Sequence, residues 1–234
     1  MNLKDRVAIV TGASKGIGLS TTKALLEQGM KVAAWSRTSP DFMHENLHFY
    51  PTDVSKVDSV NNSFNETVKD LGEHIAVLVN NAGIGYSALI EEMPVEEWEE
   101  LFAVNVHGLF YCSQMVIPKM KEVGEGHIIN IASLAGTTGT EMLSGYCGTK
   151  FAVRGISEAM FKELRDYGVK VTCINPGSVQ TNFFKRTDSI QGSENKLHAE
   201  DVTEAILFVL KSSANALPSE LDIRPLMPKG RKKL

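Results

Sequence analysis

The sequence predicts one α/β domain, in which helices flank a doubly wound, parallel sheet of about seven strands. Three observations lead to this prediction. Short apolar runs alternate with longer amphipathic segments, the runs are rich in β-branched residues, and no linker, repeat or low-complexity tract divides the 234 residues. Continuous apolar runs are typical of strands buried on both faces of a parallel sheet. Amphipathic helices between such strands give the right-handed crossovers of a doubly wound sheet.

Each element follows from a local pattern. Strands are predicted at residues 6–10, 31–35, 46–50, 76–79, 127–131, 170–174 and 220–224. Helices are predicted at residues 17–28, 55–71, 96–122, 144–167 and 201–211. Ser55 is a candidate N-cap of the second helix, and Pro118 is expected to kink or end the third. Residues 38–46 are too few for a crossover helix and include Pro40, so we expect a loop or a single turn there.

Composition and charge argue against several classes of protein. The chain has 24 basic and 28 acidic residues, a net charge of −4 and a pI of about 5.9, whereas a general nucleic-acid binder needs a basic face. The apolar runs are short, and the charged N-terminus is not followed by the longer apolar region of a signal peptide, so we expect neither a membrane span nor a signal peptide. The three cysteines lie far apart and the six histidines are scattered, which favours reduced thiols in the cytoplasm and no metal site.

A glycine-rich segment follows the first predicted strand and opens the first helix. It reads Thr11-Gly12-Ala13-Ser14-Lys15-Gly16-Ile17-Gly18. Glycines at this place in a Rossmann-type fold permit a tight turn and a close approach of the backbone to a pyrophosphate, and the helix N-terminus offers free N–H groups. The spacing GxxxGxG differs from the common GxGxxG. Taken alone, the segment is also compatible with a purely structural turn.

Two further motifs carry chemistry. Tyr146 and Lys150 are four residues apart in a predicted helix, so they lie on one face. A lysine ammonium near a phenol lowers the pKa of the phenol and would make Tyr146 a usable general acid. Ser133 follows the fifth predicted strand, at the edge where doubly wound sheets bind ligands. Each motif alone is also typical of ordinary packing or of a loop cap.

Together, six motifs resemble those of the short-chain dehydrogenase/reductase superfamily over about residues 7–181. They occur in the order TGxxxGxG at 11–18, NNAG at 80–83, Asn105, Ser133, YxxxK at 146–150 and Pro176-Gly177. The resemblance implies that Tyr146 exchanges a proton with the substrate oxygen and that Ser133 hydrogen-bonds the same oxygen. It also implies that Lys150 holds the nicotinamide ribose and lowers the pKa of Tyr146, and that Asn105 lies in a locally distorted helix that holds a water linked to Lys150. The implied catalytic residues are therefore Asn105, Ser133, Tyr146 and Lys150.

The same resemblance implies a nicotinamide cofactor bound along the carboxyl edge of the sheet. Asp53 would accept a hydrogen bond from the adenine amino group, and Val179 and Thr181 would contact the nicotinamide carboxamide. The residues implied in cofactor binding are Gly12, Ser14, Lys15, Gly16, Ile17, Gly18, Ser36, Arg37, Asp53, Val54, Asn81, Ala82, Gly83, Tyr146, Lys150, Pro176, Gly177, Val179 and Thr181.

The end of the second strand bears on the choice between NAD and NADP. An NAD-specific site places Asp or Glu there to bind the ribose 2′-hydroxyl. This chain has Ser36 and Arg37 instead, and Lys15 lies in the glycine-rich segment. Such cations pair with a 2′-phosphate through charge-assisted hydrogen bonds. We therefore expect NADP(H) rather than NAD(H), the alternative being that Arg37 and Lys15 are solvated surface charges.

The expected function is NADP(H)-dependent interconversion of a carbonyl and a secondary alcohol on a small molecule. The nearest subgroup by motif is 3-oxoacyl-acyl-carrier-protein reductase, although residues 220–226 lack the Asp-Gly-Gly usual in that group. Another small ketone, a diketone or a pterin-like substrate is the alternative, and outside enzymes a catalytically silent, cofactor-sensing protein. We expect a substrate loop at about residues 183–197, a basic tail at residues 227–234 and, by resemblance, a homodimer or homotetramer.

Overall fold

A parallel seven-stranded sheet forms the centre of the fold in the computed structural model, which describes residues 2–181, 183–185 and 195–227. A separate short pairing joins two further strands, β5 and β8. In chain order the strands are β1 (Val7–Thr11), β2 (Lys31–Ser36), β3 (Leu47–Pro51), β4 (Ile75–Asn80), β5 (Gly85–Tyr86), β6 (Gly126–Ile131), β7 (Val169–Pro176), β8 (Phe184–Lys185) and β9 (Glu220–Ile223). The order across the main sheet is β3-β2-β1-β4-β6-β7-β9. The direction of winding therefore reverses between β1 and β4, which is where sheets of this kind bind ligands.

Helices cover both faces of the sheet. They are α1 (Gly16–Glu27), α2 (Val57–Leu71), α3 (Val95–Phe102), α4 (Gly108–Val123), α5 (Ser144–Leu164) and α6 (Ala199–Leu210). A π-helical turn, Ala103–His107, joins α3 to α4. Helices α1 and α6 pack on one face, and α2, α4 and α5 pack on the other.

Successive residues of the central strands face the two layers in turn, because side chains alternate along a strand. In β1, Val7 and Ile9 pack with α2, α4 and α5, whereas Ala8 and Val10 pack with α1 and α6. All four side chains are buried. Both faces therefore need apolar residues, which is why the strands read as continuous apolar runs.

The predicted architecture is confirmed, and each predicted strand of the main sheet lies within two residues of its observed bounds. Residues 38–46 contain no helix, as expected. One local prediction is wrong, and a second is wrong in part. Ser55 does not cap α2, because the helix begins after Lys56, which takes the N-cap position; the Ser55 hydroxyl donates to Asp53 Oδ1 at 2.7 Å. Pro118 does not end α4, because Val116 and Met120 on either side of it are fully buried in the core and keep the helix continuous to Val123, whereas the alternative of a kink stays a prediction.

One stretch of the described chain, Val95–Val123, contains an 18-residue window with a mean hydropathy of 1.2, which is long and apolar enough to cross a membrane by length and composition. Its side chains Leu109, Val116 and Met120 are buried in the cluster between the sheet and helices α2, α4 and α5, as those of a core helix are. The absence of a membrane span stays a prediction. Most of the expected substrate loop (residues 186–194) and of the basic tail (residues 228–234) lies outside the described residues.

Candidate active site

Most of the predicted site residues lie at or just after the carboxyl ends of six strands and therefore meet at one edge of the sheet. The segment 12–18 follows β1, and Asn81, Ala82 and Gly83 follow β4. The other implied cofactor residues outside the helices are Ser36 and Arg37 at the end of β2, Asp53 and Val54 after β3, and Pro176, Gly177, Val179 and Thr181 at the end of β7 and beyond. Ser133 follows β6, and Tyr146 and Lys150 lie on α5.

The turns after β1 and β4 are joined into one unit. Thr11 Oγ1 accepts hydrogen bonds from the backbone N–H groups of Asn81 at 3.0 Å and Ala82 at 2.9 Å. Gly12 has a φ of +66°, and a Cβ at Gly18 would lie 2.2 Å from the Gly12 carbonyl oxygen. Only glycine allows this close approach, so the surface at this point is formed by backbone groups.

This surface fits a dinucleotide. The N-terminus of α1 has no side-chain capping bond at Lys15, so its first N–H groups are available to a pyrophosphate. A Cβ at Gly16 would lie 3.2 Å from Thr181 Cγ2, so the segment after β7 reaches the same helix end. Two of the loops implied in cofactor binding thus converge at the N-terminus of α1.

The polar side chains at and near the end of β2 differ in whether they already form hydrogen bonds or ion pairs. Ser36 is buried and its hydroxyl donates to the Thr38 carbonyl at 2.8 Å. Arg37 and Lys15 are exposed, and neither forms an ion pair within the described part of the chain. Asp53 Oδ1 accepts from both the backbone N–H and the hydroxyl of Ser55, which orients the carboxylate.

The structure brings three of the predicted catalytic side chains together. Tyr146 and Lys150 are buried, and the Lys150 ammonium lies 5.7 Å from the centre of the Tyr146 ring. Lys150 Nζ donates to the Ile131 carbonyl at 2.9 Å. The Tyr146 phenol is hydrogen-bonded with Ser133, whose Oγ also accepts from the Ala135 N–H at 3.1 Å.

The net shift of the Tyr146 pKa is upward in this structure, and the expected lowering by Lys150 stays a prediction. Burial raises the pKa of the Tyr146 phenol to about 12, and the hydrogen bond with Ser133 offsets only part of that rise. Burial also lowers the pKa of Lys150 to about 8. The physical reason is that removing water disfavours the charged form of each group, and the ammonium is directed at the Ile131 carbonyl.

Asn105 lies in the π-helical turn, which confirms the expected local distortion of the helix. Its side-chain amide accepts from the Ile84 N–H at 2.9 Å and donates to the Ile84 carbonyl at 3.0 Å and to Thr149 Oγ1 at 3.0 Å. Asn105 therefore fixes the segment that follows the NNAG motif to the start of α5.

A small cavity lies between Asn105 and Lys150, with about 10 Å³ of space for a water molecule. Such a volume holds about one water. Asn80 also lines this cavity, and its Oδ1 has no hydrogen-bond partner among the residues that the structure describes. The cavity therefore has the polar lining that the water expected from the family resemblance would require.

Two functional features were not found from the sequence. The first is Thr11, whose hydroxyl joins the loops after β1 and β4. Its place as the first residue of the TGxxxGxG motif could have indicated this role. Phe183 packs edge-on against Tyr146, with ring centres 5.7 Å apart, in a cluster with Ile84 and Tyr86. No local pattern predicts that contact, because it accompanies the pairing of β5 with β8.

Comparison with known proteins agrees with this geometry. Residues 6–191 match the family described as short chain dehydrogenase. An uncharacterized oxidoreductase of Staphylococcus haemolyticus is 36% identical, with 96% of this chain and 99% of that protein aligned. A second, from Staphylococcus saprophyticus, is also 36% identical, with 97% of this chain and 100% of that protein aligned.

Solved structures share the whole fold. A 3-ketoacyl-(acyl-carrier-protein) reductase from Brucella melitensis, complexed with NADH, superposes with a TM-score of 0.88 at 27% identity, covering 97% of this chain and 99% of that one. The closed form of a serine dehydrogenase, complexed with NADP⁺, superposes with a TM-score of 0.84 at 30% identity, covering 93% and 94%. With the nucleotide-binding edge, the Ser-Tyr-Lys group and the family match in agreement, this chain belongs to the short-chain dehydrogenase family of oxidoreductases.

Proposed function

We propose that this protein reduces a carbonyl group to a secondary alcohol with NADPH, and that Tyr146 is the general acid. One observation carries the proposal. The buried Tyr146 phenol is hydrogen-bonded with Ser133, near the Lys150 ammonium, at the same edge of the sheet as the glycine-lined backbone surface. A cofactor-sensing protein without turnover has no need of this group.

The chemistry divides between the cofactor and the chain. A bound nicotinamide cofactor supplies the hydride. With a pKa of about 12, the Tyr146 phenol carries its proton at neutral pH, which is the state that donates to a carbonyl oxygen under reduction. The Ser133 hydroxyl hydrogen-bonds the same oxygen and orients it. The hydrogen bond to the Ile131 carbonyl orients the Lys150 ammonium. With a pKa of about 8, this ammonium remains mostly charged at pH 7 and binds ribose hydroxyls.

The preference for NADPH rests on charge. The end of β2 carries Ser36 and Arg37 with no carboxylate, and Arg37 and Lys15 are exposed and unpaired among the described residues. A 2′-phosphate at the end of β2 would be attracted by the Arg37 and Lys15 cations and would not be repelled by a carboxylate there. The structural neighbours divide, since the serine dehydrogenase and ElxO are complexed with NADP⁺ or NADP and the ketoacyl reductase with NADH.

The substrate proposal starts from the surroundings of Tyr146. The phenol packs in an apolar cluster with Ile84, Tyr86 and Phe183, which favours a substrate with an apolar group beside its carbonyl. A 3-oxoacyl thioester has such a group, and the ketoacyl reductase is a structural neighbour. A small ketone, a diketone and a pterin-like carbonyl are the other candidates.

The test measures binding first and turnover second. Titration by cofactor fluorescence compares NADPH with NADH on the wild type, on Arg37→Ala and on the control Lys69→Ala, an exposed cation on α2. We expect NADPH to bind about 10- to 100-fold more tightly than NADH, and Arg37→Ala alone to remove most of that difference. Equal binding of both cofactors by the wild type would contradict the NADPH preference.

Turnover is then measured with NADPH and the four substrate classes. We expect Tyr146→Phe to lose at least about 100-fold in kcat while binding NADPH normally. Retained activity in Tyr146→Phe would exclude the proposed role of the phenol. NADPH binding without turnover of any carbonyl by the wild type would instead favour the cofactor-sensing alternative.

We further propose a homo-oligomer located in the cytoplasm. Phe110 on α4 and Phe151 on α5 are exposed apolar side chains, which a second copy would cover. Cys112, Cys147 and Cys173 are buried and free, as expected of thiols in a reducing compartment. Sedimentation velocity of the wild type and of Phe110→Ser tests the first proposal, with a monomeric wild type as the contradicting result.

A further inference from the structure

Arg154 lies on α5 four residues after Lys150 and eight after Tyr146, so it follows them along one face of the helix. Its guanidinium makes two directed contacts. Arg154 Nη1 donates to the Gly136 carbonyl at 2.8 Å, and Arg154 Nε donates to Glu220 Oε1 at 2.6 Å. The same side chain therefore ties α5 both to the turn after β6 and to strand β9.

The turn that Arg154 contacts is the one that carries Ser133. It is a short 3₁₀ turn, Leu134–Gly136, and begins directly after Ser133. Ser133 accepts two hydrogen bonds from backbone N–H groups of this turn. Its Oγ accepts from Ala135 at 3.1 Å, and its carbonyl oxygen accepts from Gly136 at 2.8 Å. A Cβ at Gly136 would lie 2.7 Å from the Lys150 carbonyl oxygen, so the turn lies flat against the backbone of α5.

The second contact of Arg154 leads to the end of β7. Glu220 Oε1 also accepts from Nδ2 of the buried Asn175 at 2.6 Å, and the same Nδ2 donates to Asp222 at 3.0 Å. Asn175 directly precedes Pro176 and Gly177, which are implied in cofactor binding. One carboxylate oxygen thus joins α5 to the strand that ends in the nicotinamide segment.

We propose that Arg154, braced by Glu220, is a positioning residue that holds the turn of Ser133 against α5 and so sets the Ser133 hydroxyl relative to Tyr146. The proposal rests on the carbonyl reduction proposed above, because positioning of Ser133 matters only if Ser133 acts on the substrate oxygen. It also assigns a role to Glu220, in the segment of residues 220–226 that lacks the Asp-Gly-Gly usual in ketoacyl reductases.

The first test is a double-mutant cycle on turnover. We expect Arg154→Met to lower kcat about tenfold and to leave the KM for NADPH within about twofold, because only the Ser133 contact to the substrate oxygen is misplaced. In a Ser133→Ala background the same substitution should cost less than about twofold, since the group that it positions is gone. Lys162→Met, which breaks an exposed ion pair with Glu158 on the same helix, is the matched control and should leave kcat unchanged. A full tenfold loss in the Ser133→Ala background would overturn the proposal.

The second test needs no substrate and so separates this proposal from the proposed function. Amide hydrogen exchange is measured at Ala135 and Gly136 in the wild type, Arg154→Met and Lys162→Met. We expect exchange at both amides to be at least about tenfold faster in Arg154→Met alone. Unchanged exchange would overturn the positioning role whether or not the enzyme reduces carbonyls. Glu220→Gln, which keeps the side-chain size, is expected to speed exchange at the same two amides. This second variant is used if Arg154→Met does not fold.

Discussion

His127 is buried in β6 and makes the folded state sensitive to acid. It is 2% exposed, and its Nε2 lies 2.8 Å from Thr172 Oγ1. The Thr172 hydroxyl donates its proton to the Pro218 carbonyl at 2.8 Å, so His127 Nε2 must be the donor to Thr172. Because its pKa is lowered, the imidazole is neutral at pH 7, with Nδ1 unprotonated. Burial, with a smaller contribution from the nearby Lys170 charge, lowers its pKa from 6.5 to about 3.

The sign and size of the effect follow from this pKa. Between pH 6.5 and pH 3 the unfolded chain binds a proton at His127 that the folded chain does not, so stability is full above pH 6.5 and is lost as the pH falls. The loss is about 1.4 kcal/mol per pH unit within this window and amounts to about 2 kcal/mol between pH 7 and pH 5. His127→Gln keeps a donor toward Thr172 and removes the titration.

Urea unfolding at pH 7 and pH 5 measures this contribution. Other groups also titrate in this range, so the quantity of interest is the difference between the wild type and His127→Gln in the free energy of unfolding lost. We expect the wild type to lose about 2 kcal/mol more than the variant. His74→Gln, at an exposed position, should behave as the wild type does. Equal losses in the wild type and His127→Gln would refute the reasoning.

Three further substitutions test the site and its supports. Gly18→Ala places a Cβ 2.2 Å from the Gly12 carbonyl oxygen, and the displaced turn should weaken NADPH binding about 10- to 100-fold in a fluorescence titration; normal affinity would contradict the close-approach argument. Gly155→Ala, exposed on α5 with no atom near the new Cβ, should leave that affinity unchanged and raise the free energy of unfolding by about 1 kcal/mol, and a loss of stability would show that the site is not open. Asn105→Ala removes the partner of both the N–H and the carbonyl of Ile84 and should cost about 2 kcal/mol in urea unfolding, whereas a neutral result would show that water replaces the amide.

The architecture could be predicted because its signals are local. Each strand of the main sheet is buried on both faces, so burial appears directly as an apolar run such as that of β4. The glycine turn, Ser133 and the pair Tyr146 and Lys150 were found because strand ends in a parallel sheet share one edge, and motifs that follow strands must therefore converge there. Ser55 was misassigned because the helix begins one residue later than expected, after Lys56, and the Ser55 hydroxyl donates to the Asp53 carboxylate two residues earlier.

The electrostatics of the site could not be predicted in the same way. Helical spacing correctly places Lys150 near Tyr146, but the direction of the pKa shift depends on how much water each group loses and on where the ammonium is directed. Burial of Tyr146 raises the pKa of the phenol, and the hydrogen bond with Ser133 offsets only part of that rise. These quantities arise from elements far apart in the chain.

The amino-acid sequence was sufficient to identify the fold class and the family and to predict where the glycine-rich turn and the candidate catalytic residues meet, because these depend on residue type and on the place of each motif along the chain. Folding decided the rest. The pairing of β5 with β8, the contact of Phe183 with Tyr146 and the tie from Arg154 to both Gly136 and Glu220 join residues that are distant in sequence. Contacts of this kind leave no periodic pattern, since each depends on where the sheet places two separate chain segments.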